Sequence, residues 1–371
     1  MIDAFGAAST SAYSEEAPPI EGMLAFLRAE TASDLHLTVG LPPIARIEGR
    51  LVPVPGTPVL TPGMVASLVN GMMTEPKRRD FESDLEVDFS FAYANEGRFR
   101  VNVFHERGNP AAALRRIPDE PLLLQELGLP SGVAMLATLK RGLVLVTGPT
   151  GSGKTTTQAA IIDKINRERQ EHIITIEDPI EFVHGHKQSI VQQREVGNDT
   201  AGFARALKSA LREDPDVLLI GEMRDLETMA AAITAAETGH LVLATLHTTS
   251  AVQSIDRMID VFPPHQQAQI RLQLSASLQA ILAQRLVPLV DGTRACVCEF
   301  LVANDAVRNL IREGKTHLVP ASMQSGVADG MVMFDPYLER LVRTGRLAFD
   351  IAITFASDPK GFKTRFFPNE R

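Results

Sequence analysis

"LVLVTGPTGSGKTTTQAAIIDKINRERQ", residues 143–170, places a short apolar run before a glycine-rich turn and then a helical pattern. A short apolar run bounded by glycine is typical of a buried strand. The turn, residues 148–155, matches the phosphate-loop pattern in its required place between a strand and a helix. Its glycines let successive backbone N–H groups surround a phosphate at a helix N-terminus, which favours anions. The stretch therefore predicts an α/β domain that binds a nucleoside triphosphate.

Two side chains of this loop have specific expected roles. The Lys154 ammonium would neutralise the β- and γ-phosphate oxygens, and the Thr155 hydroxyl would ligate Mg²⁺. The alternative interpretation is a glycine-rich turn before an ordinary helix. The predicted nucleotide-binding residues are Gly148, Pro149, Thr150, Gly151, Ser152, Gly153, Lys154, Thr155 and Thr156.

After residue 142, apolar runs alternate with helical patterns. The runs "HIITIED", "DVLLIG" and "LVLATL" are each followed by a helical segment, with a predicted loop between the first run and its helix. This alternation predicts a parallel sheet with covering helices. From residue 263 onward the pattern is mostly helical, apart from the strand-like "ACVCEFLVA" at 295–303.

Carboxylates follow two of these predicted strands. Glu222 comes after "DVLLIG", Glu177 and Asp178 come at the end of "HIITIED", and Glu181 lies a few residues on. Ligand sites in such sheets lie beyond the carboxyl ends of the strands, where a carboxylate can orient a water at the γ-phosphate. The alternative for each is a solvated loop charge. The sequence leaves open which carboxylate is the base and which holds Mg²⁺.

Two histidines, His240 and His247, flank the predicted strand "LVLATL". At about 3.3 Å per residue, seven steps separate them by roughly 23 Å, and the odd spacing sends their side chains to opposite faces. They cannot share a metal ion. His247 is predicted at the ligand edge of the sheet, where it can sense the γ-phosphate. His240 is predicted at the far edge.

The first third of the chain has a different character. Residues 20–117 combine a helix-like segment with short strand-like pieces, which predicts a small α+β domain on an antiparallel sheet. Residues 118–141 are predicted to be a linker with a short helix. Residues 1–19 lack the basic and apolar regions of a secretory signal, so they are predicted to be a disordered lead-in.

The composition excludes some classes of protein. The 371 residues are 44% hydrophobic and carry a formal net charge of −8, which argues against a protein that coats nucleic acid. No apolar run approaches the roughly 18 to 20 residues of a membrane-spanning helix. Cys296 and Cys298 are predicted to be buried and reduced in a cytoplasmic protein. "HGH" at 184–186 is predicted to be a polar loop, because no third metal ligand is near it.

Several motifs together resemble a known family. The runs "GPTGSGKTT", "ITIEDPIEFVH", "QREVG", "ALREDPDVLLIGEMRDLET" and "AAETGHLVLATLHTTSA" resemble the Walker A, Asp-box, Walker B and His-box segments of the secretion ATPase superfamily. The nearest resemblance is to the type IV pilus retraction ATPases, the PilT/PilU family. "ASDLHLTVGLPP", "RFRVN" and "RRIP" resemble its PAS-like domain, and "AVRNLIREGK" at 306–315 resembles a retraction-associated motif.

The resemblance implies a small N-terminal α+β PAS-like domain followed by a RecA-like P-loop ATPase domain with a helical C-terminal extension. The implied domains are residues 20–117, a core at 142–290 and a mostly helical region at 291–345, and a tail at 346–371 lies beyond the resemblance. The tail includes the basic "KGFKTRFF" at 360–367, which would touch lipid or a partner, or would fray. A homohexameric ring is implied, with ATP and Mg²⁺ as cofactors.

Site residues also follow from the resemblance. It implies catalytic-type roles for Glu222, Glu177, Glu181, His247 and His240, with Glu222 joining Thr155 at the metal. Arginines of the N-terminal domain would close on the nucleotide. Arg100 and Arg115 are the best candidates, because a bidentate guanidinium suits developing phosphoryl charge. Arg98 or Arg116 are the alternatives. The structural alternative is that these arginines are only surface charges on one face of the sheet.

The implied function is a Mg-ATP-hydrolysing motor for pilus retraction and twitching motility, at the cytoplasmic face of the inner membrane. Its implied partners are an inner-membrane pilus platform protein and possibly a second retraction ATPase, with no nucleic acid. Two alternatives stay open: an accessory PilU-type subunit that needs a partner motor, and a nucleic-acid translocase of related core.

Overall fold

The computed structural model describes residues 17–93, 96–118 and 120–367. The chain forms two compact units, Met1–Asp119 and Glu120–Arg371. This division falls close to residue 117, where the predicted N-terminal domain ends. Most of the predicted disordered lead-in lies outside the described residues. None of the helices in the described ranges combines the length and the hydropathy of a membrane span.

The first unit is a six-stranded antiparallel sheet with three helices. The strand order is β3-β2-β1-β6-β5-β4. The helices are α1 (Ile20–Ala29), α2 (Pro62–Met72) and α3 (Glu75–Asp84). The strands are β1 (Asp34–Leu37), β2 (Ile44–Ile47), β3 (Arg50–Pro53), β4 (Glu86–Tyr93), β5 (Gly97–Glu106) and β6 (Asn109–Ile117).

Strand β5 shows why this sheet has one buried face. Phe99, Val101 and Val103 alternate with polar residues and are fully buried. Alternate residues of a strand point to opposite faces, so the intervening Arg98 and Arg100 lie on the other side. The predicted α+β domain on an antiparallel sheet is confirmed.

The second unit is built on a seven-stranded sheet with the order β13-β12-β7-β11-β10-β8-β9, parallel except for β13. The strands are β7 (Gly142–Thr147), β8 (His172–Glu177), β9 (Ile190–Glu195), β10 (Val217–Ile220), β11 (Leu241–Leu246), β12 (Leu278–Pro288) and β13 (Arg294–Val302). The helices are α4 (Lys154–Glu168), α5 (Phe203–Ala210), α6 (Leu226–Glu237), α7 (Ala251–Asp260), α8 (Pro264–Ser277), α9 (Asp305–Arg312), α10 (Val319–Ser325), α11 (Phe334–Arg343), α12 (Phe349–Phe355) and α13 (Pro359–Phe366). Short 3-10 helices span Leu124–Leu127, Ser131–Thr138, Thr316–Leu318 and Gly326–Asp329.

Helices cover both faces of this sheet. Leu143 and Leu145 of β7 belong to a core formed with helices α5 to α10. Val144, between them, belongs to a second core formed with α4 and α11 to α13. Burial on both faces explains why the parallel strands are continuous apolar runs rather than alternating ones. The predicted parallel sheet with covering helices is confirmed.

Two strands of this sheet were not predicted. Ile190–Glu195, predicted to be loop, forms edge strand β9 beside β8. Leu278–Pro288, predicted to be helical, forms β12, which pairs with both β7 and β13. The prediction of helix was wrong there because β12 has a continuous buried stretch, Ala280–Gln284, so its apolar residues have no period of two. The sheet therefore continues to Val302, past the predicted end of the core at residue 290.

The predicted linker and tail are both parts of the second unit. In the region 118–141, Leu124, Val133 and Leu136 are buried in the same core as α4. Arg169, just beyond α4, donates hydrogen bonds from Nη1 to the carbonyl oxygens of Ala137 (3.0 Å) and Leu139 (2.6 Å). The tail forms α12 and α13 rather than a frayed end, up to residue 367 where the described residues stop.

Phe362 of α13 is expected to hold the tail in place. Its ring is fully buried, whereas Phe367, five residues further on, is 42% exposed. Replacing a buried Phe with Ala costs about 3 to 5 kcal/mol of unfolding free energy. Phe362→Ala should therefore lower the urea midpoint of unfolding markedly. Phe367→Ala, the matched control, should cost about 1 kcal/mol or less. Equal effects of the two changes would contradict the burial of the tail.

Candidate active site

The loop between β7 and α4 has the backbone that its glycines predict. Gly148, Gly151 and Gly153 have φ values of 145°, 76° and 87°, a region that favours glycine. A Cβ added at Gly148 would lie 2.3 Å from the carbonyl oxygen of Gln284. No larger residue fits at position 148. The loop thus presents the N-terminus of α4 in the form that binds phosphate.

Lys154 is the first residue of α4, and its ammonium lies over this loop. Lys154 Nζ donates hydrogen bonds to the carbonyl oxygens of Gly148 (2.8 Å) and Pro149 (3.1 Å). Burial lowers the pKa of Lys154, and the negative charges of Glu222 and Glu181 partly oppose that effect. Two of the predicted carboxylates are therefore close enough to interact with the phosphate-loop lysine.

The remaining predicted nucleotide-binding residues precede and follow Lys154 in the sequence. Pro149, Thr150 and Gly151 are exposed, as expected for groups that meet a ligand. Thr155 and Thr156 are half-buried in the first turn of α4. The predicted nucleotide-binding residues are thus brought together at one end of the parallel sheet.

Glu222 lies two residues beyond β10 and is hydrogen-bonded to two basic side chains. Its Oε1 atom accepts hydrogen bonds from Arg224 Nε (2.7 Å) and His247 Nε2 (2.8 Å). Burial raises the pKa of Glu222, but the Arg224 hydrogen bond and the positive charges of His247 and Arg224 lower it more, so the net pKa is below its usual range. Glu222 is therefore an ionised carboxylate near neutral pH.

Glu177 is a different kind of carboxylate. It ends β8 in a buried position, where its Oε1 accepts hydrogen bonds from Thr175 Oγ1 (2.6 Å) and Gln193 Nε2 (3.1 Å). Burial raises the pKa of Glu177 despite these bonds. Glu181 and Asp178 are exposed in the following loop. The three glutamates predicted as catalytic thus lie in three distinct environments.

The two histidines lie at opposite ends of β11, as predicted. His247 follows the strand and contacts Glu222. His240 precedes the strand, and its Nδ1 atom lies 2.9 Å from the carbonyl oxygen of Ala235 and 3.3 Å from Thr238 Oγ1 at the end of α6. Among the described residues, no group of His, Cys, Asp and Glu is arranged to hold a metal ion.

These contacts predict unequal effects of the two histidines on ATP turnover. His247→Ala removes a hydrogen bond to a charged carboxylate, a loss of about 1.5 to 3 kcal/mol, and should slow turnover by about 10- to 100-fold. His240→Ala removes only a contact with a helix terminus and should stay within about threefold of wild type. Steady-state ATPase assays on both variants test this. The reverse order would contradict the assignment of His247 to the ligand edge.

The histidines and cysteines that were predicted to have no role in chemistry lie in partly or fully buried positions or bond to the backbone. Burial lowers the pKa of His184 to about 4, and His186 Nδ1 accepts a hydrogen bond from the backbone N–H of Val191 (3.1 Å). Cys296 and Cys298 are free thiols on β13; Cys298 is buried as predicted, whereas Cys296 is half-buried, and burial raises the pKa of Cys296 to about 12. A thiol with so high a pKa is a poor nucleophile and metal ligand.

The candidate arginines lie side by side in the first unit. Arg100 on β5 and Arg115 on β6 are register partners and are both exposed. Arg115 Nε donates a hydrogen bond to Asp34 Oδ1 (2.9 Å). Like charges directly opposite each other destabilise a sheet, and of the two arginines Arg115 has the Asp34 carboxylate as a neighbour of opposite charge. Arg98 and Arg116 occupy other positions of the same strands, paired with Ile117 and Phe99.

The sequence prediction missed two residues at the site. Arg224 contacts Glu222. The sequence signal for this contact was that Arg224 follows Glu222 by two residues in "GEMRD". Gln284 lies against the phosphate loop, with its Nε2 atom 2.9 Å from the carbonyl oxygen of Ser152. No signal was available for Gln284, because β12 was predicted to be helical.

Comparisons with known proteins agree with this geometry. A family model described as "Type II/IV secretion system protein" matches residues 83–307. The type IV pilus "retractation ATPase PilT" of Pseudomonas aeruginosa is 48% identical over 343 residues, covering 92% of this chain and 99% of its own. The type IV pilus ATPase PilU of the same organism is 43% identical over 337 residues, covering 91% and 88%.

A solved structure extends the likeness to the fold. The crystal structure of the pilus retraction motor PilT with bound ADP matches with a TM-score of 0.87 and 47% identity, covering 93% of this chain and 98% of that one. The predicted fold class, an N-terminal α+β domain before a P-loop ATPase domain with C-terminal helices, is confirmed. The chain belongs to the type II/IV secretion system protein family, as an ATPase of the PilT/PilU type.

Proposed function

We propose that this chain is an ATP-hydrolysing motor that powers type IV pilus retraction, the disassembly of pilin that underlies twitching motility. One observation carries the proposal. The phosphate loop with Lys154 and the Glu222–His247 pair lie at the same end of the parallel sheet. Family membership and the names of the relatives support the retraction role.

In the proposed mechanism, the N–H groups of the loop and Lys154 bind the β- and γ-phosphates of ATP. Glu222, which stays ionised, orients the attacking water. His247, bonded to Glu222, responds to the presence or loss of the γ-phosphate and passes the change to α7. Positioning and charge stabilisation dominate phosphoryl transfer, so the protein needs little covalent chemistry of its own.

The same residues fit a magnesium ion. The Thr155 hydroxyl and the Glu222 carboxylate are oxygen donors, which Mg²⁺ prefers. The low pKa of Glu222 keeps that donor charged. A bound Mg²⁺ would neutralise phosphate charge, and Thr155 and Glu222 would hold it directly or through water.

Glu177 and Glu181 have secondary parts in this proposal. The buried Glu177 is held by Thr175 and Gln193 and has a raised pKa, so it suits a role in shaping the site more than in attracting a cation. Glu181 is exposed and interacts with Lys154 through its charge, so it suits contact with the nucleotide or its metal. His240 is assigned a structural role at the end of α6.

The motor is proposed to act as a homohexamer at the cytoplasmic face of the inner membrane. Arg100 and Arg115 are the arginines proposed to stabilise phosphoryl charge during turnover. An inner-membrane pilus platform protein receives the motion. Nucleic acid is not a partner, because the chain carries a net charge of −8 and contains no Trp for base stacking.

A second candidate function, an accessory PilU-type subunit that needs a partner motor, is supported by the 43% identity to PilU over most of the chain. The purified chain separates the two candidates. A motor turns over ATP alone, whereas an accessory subunit needs the partner ATPase for turnover. Stimulation of turnover by DNA, with steep salt dependence, would instead support a nucleic-acid translocase.

Retraction itself is tested in the natural host. A strain that lacks the gene is complemented with wild type or with Lys154→Ala, and twitching and uptake of a pilus-dependent phage are measured. Wild type is expected to restore both, and Lys154→Ala neither, at equal protein levels. Normal retraction with Lys154→Ala would overturn the proposed function.

A further inference from the structure

The phosphate loop rests on one buried amide of the neighbouring strand. Gln284 of β12 is 1% exposed, and its Nε2 atom donates a hydrogen bond to the carbonyl oxygen of Ser152 (2.9 Å). A Cβ atom added to Gly148 would clash with the backbone carbonyl oxygen of Gln284. A Cβ atom added to Gly153 would lie 3.2 Å from Gln284 Nε2. One residue therefore contacts both the first and the last glycine of the loop.

The chemistry of the loop explains why such a contact is needed. A loop that binds phosphate points its N–H groups at the ligand. The carbonyl of Ser152 turns instead toward the side chain of Gln284, in a buried position. A buried carbonyl needs a hydrogen-bond donor, because leaving it unpaired is unfavourable. The Gln284 side chain supplies that donor.

We propose that Gln284 is a positioning residue for nucleotide binding: its amide N–H holds Ser152 and Gly153 so that the N–H groups before Lys154 face the phosphates. This inference rests on the proposed function, because it assigns a further residue to the same nucleotide site. The role assigned to Gln284 is indirect. It acts through the shape of the loop.

Two neighbouring atoms fit this assignment. Within the described ranges, Gln284 Oε1 and Ser152 Oγ are buried side-chain atoms with no hydrogen-bond partner. Unpaired buried polar atoms are unfavourable, so simple packing would favour an apolar residue at position 284. A glutamine there is explained by the donor it offers to the loop.

The test replaces Gln284 with methionine, which keeps the length and approximate volume but removes the donor. The matched control is Gln279→Met, the same change five residues earlier at the start of β12, where the side chain accepts a hydrogen bond from Arg308 (3.2 Å). Affinity for a fluorescent ADP analogue, the KM for ATP, kcat and the unfolding temperature are measured for the full-length chain.

Gln284→Met is expected to weaken ADP-analogue binding and to raise the KM for ATP by about 5- to 50-fold, with a smaller change in kcat. Gln279→Met should stay within about twofold in both. A Gln284→Met protein that unfolds at a lower temperature but binds ADP as wild type does would overturn the proposal and leave a purely structural role.

A second variant addresses packing. Gln284→Glu keeps the shape and places an acceptor opposite the Ser152 carbonyl, so it should bind ADP no better than Gln284→Met. Wild-type affinity in Gln284→Glu would also overturn the proposal. The ADP measurement does not depend on hydrolysis. Absence of turnover in wild type would therefore contradict the motor assignment while the test of Gln284 remained decisive.

Discussion

Lys154→Ala is expected to weaken ATP binding by about 10- to 100-fold and to reduce turnover below detection. Each hydrogen bond to a charged group contributes about 1.5 to 3 kcal/mol, and tenfold in affinity corresponds to 1.4 kcal/mol. The lysine also stabilises charge that develops during phosphoryl transfer, so turnover falls more than binding. Its half-buried position against the loop carbonyls strengthens both effects, because water screens it less.

The matched control for this change is Lys164→Ala on the same helix. Lys164 pairs with Glu168 (2.5 Å) near the opposite end of α4. A surface ion pair of this kind contributes about 1 kcal/mol or less to stability, and Lys164 contacts no part of the loop. Calorimetric titration with a non-hydrolysable ATP analogue measures the binding. Equal affinities of Lys154→Ala and Lys164→Ala would refute the assignment of the loop.

Glu222→Gln is expected to separate hydrolysis from binding. Loss of a positioned general base reduces rates by about 10²- to 10⁴-fold, whereas the isosteric amide leaves the loop and Lys154 intact. We therefore expect turnover to fall by at least about 100-fold while the affinity for the ATP analogue changes by less than about fivefold. In the wild type, Arg224 and His247 donate hydrogen bonds to the Glu222 carboxylate. These bonds would be weaker in Glu222→Gln, because the amide carries no charge.

Glu227→Gln is the control for this second change. Glu227 is an exposed carboxylate in the first turn of α6, where it pairs with Lys208. Single-turnover kinetics show whether the chemical step itself is slowed. A Glu222→Gln variant that hydrolyses ATP within a few-fold of wild type would identify another group as the base. Glu181 and Glu177 would then be the next to test.

The parts of the fold that were predictable share one property. The strands β7, β10 and β11 are short apolar runs, and each is followed by a helix after a short loop, so the local pattern and the final structure agree. Strand β12 departs from this rule. It follows helix α8 without a glycine break, and its small and apolar residues suit a helix equally well. Only its place between β7 and β13 makes it a strand.

Site residues were predictable where they lie next to a strand end. Lys154, Glu222 and His247 follow β7, β10 and β11 at the carboxyl edge of the sheet, so their convergence follows from the parallel topology. Gln284 reaches the loop from the middle of a neighbouring strand, and Gln193 reaches Glu177 from another. These contacts depend on which strands are neighbours in space. Spacing along the chain does not encode that.

Strand β12 also limits how the C-terminal segment can be exchanged. Next to Gln284, Arg285 donates a hydrogen bond to the carbonyl oxygen of Phe355 (3.2 Å), and its guanidinium lies 5.0 Å from the ring centroid of Phe334. The strand that supports the phosphate loop thus also binds the C-terminal helices. These helices cannot be exchanged independently of β12. In a chimera that takes α11 to α13 from a relative, Arg285 would face side chains of the relative unless β12 is exchanged as well. The segment to exchange therefore includes β12 together with the C-terminal helices.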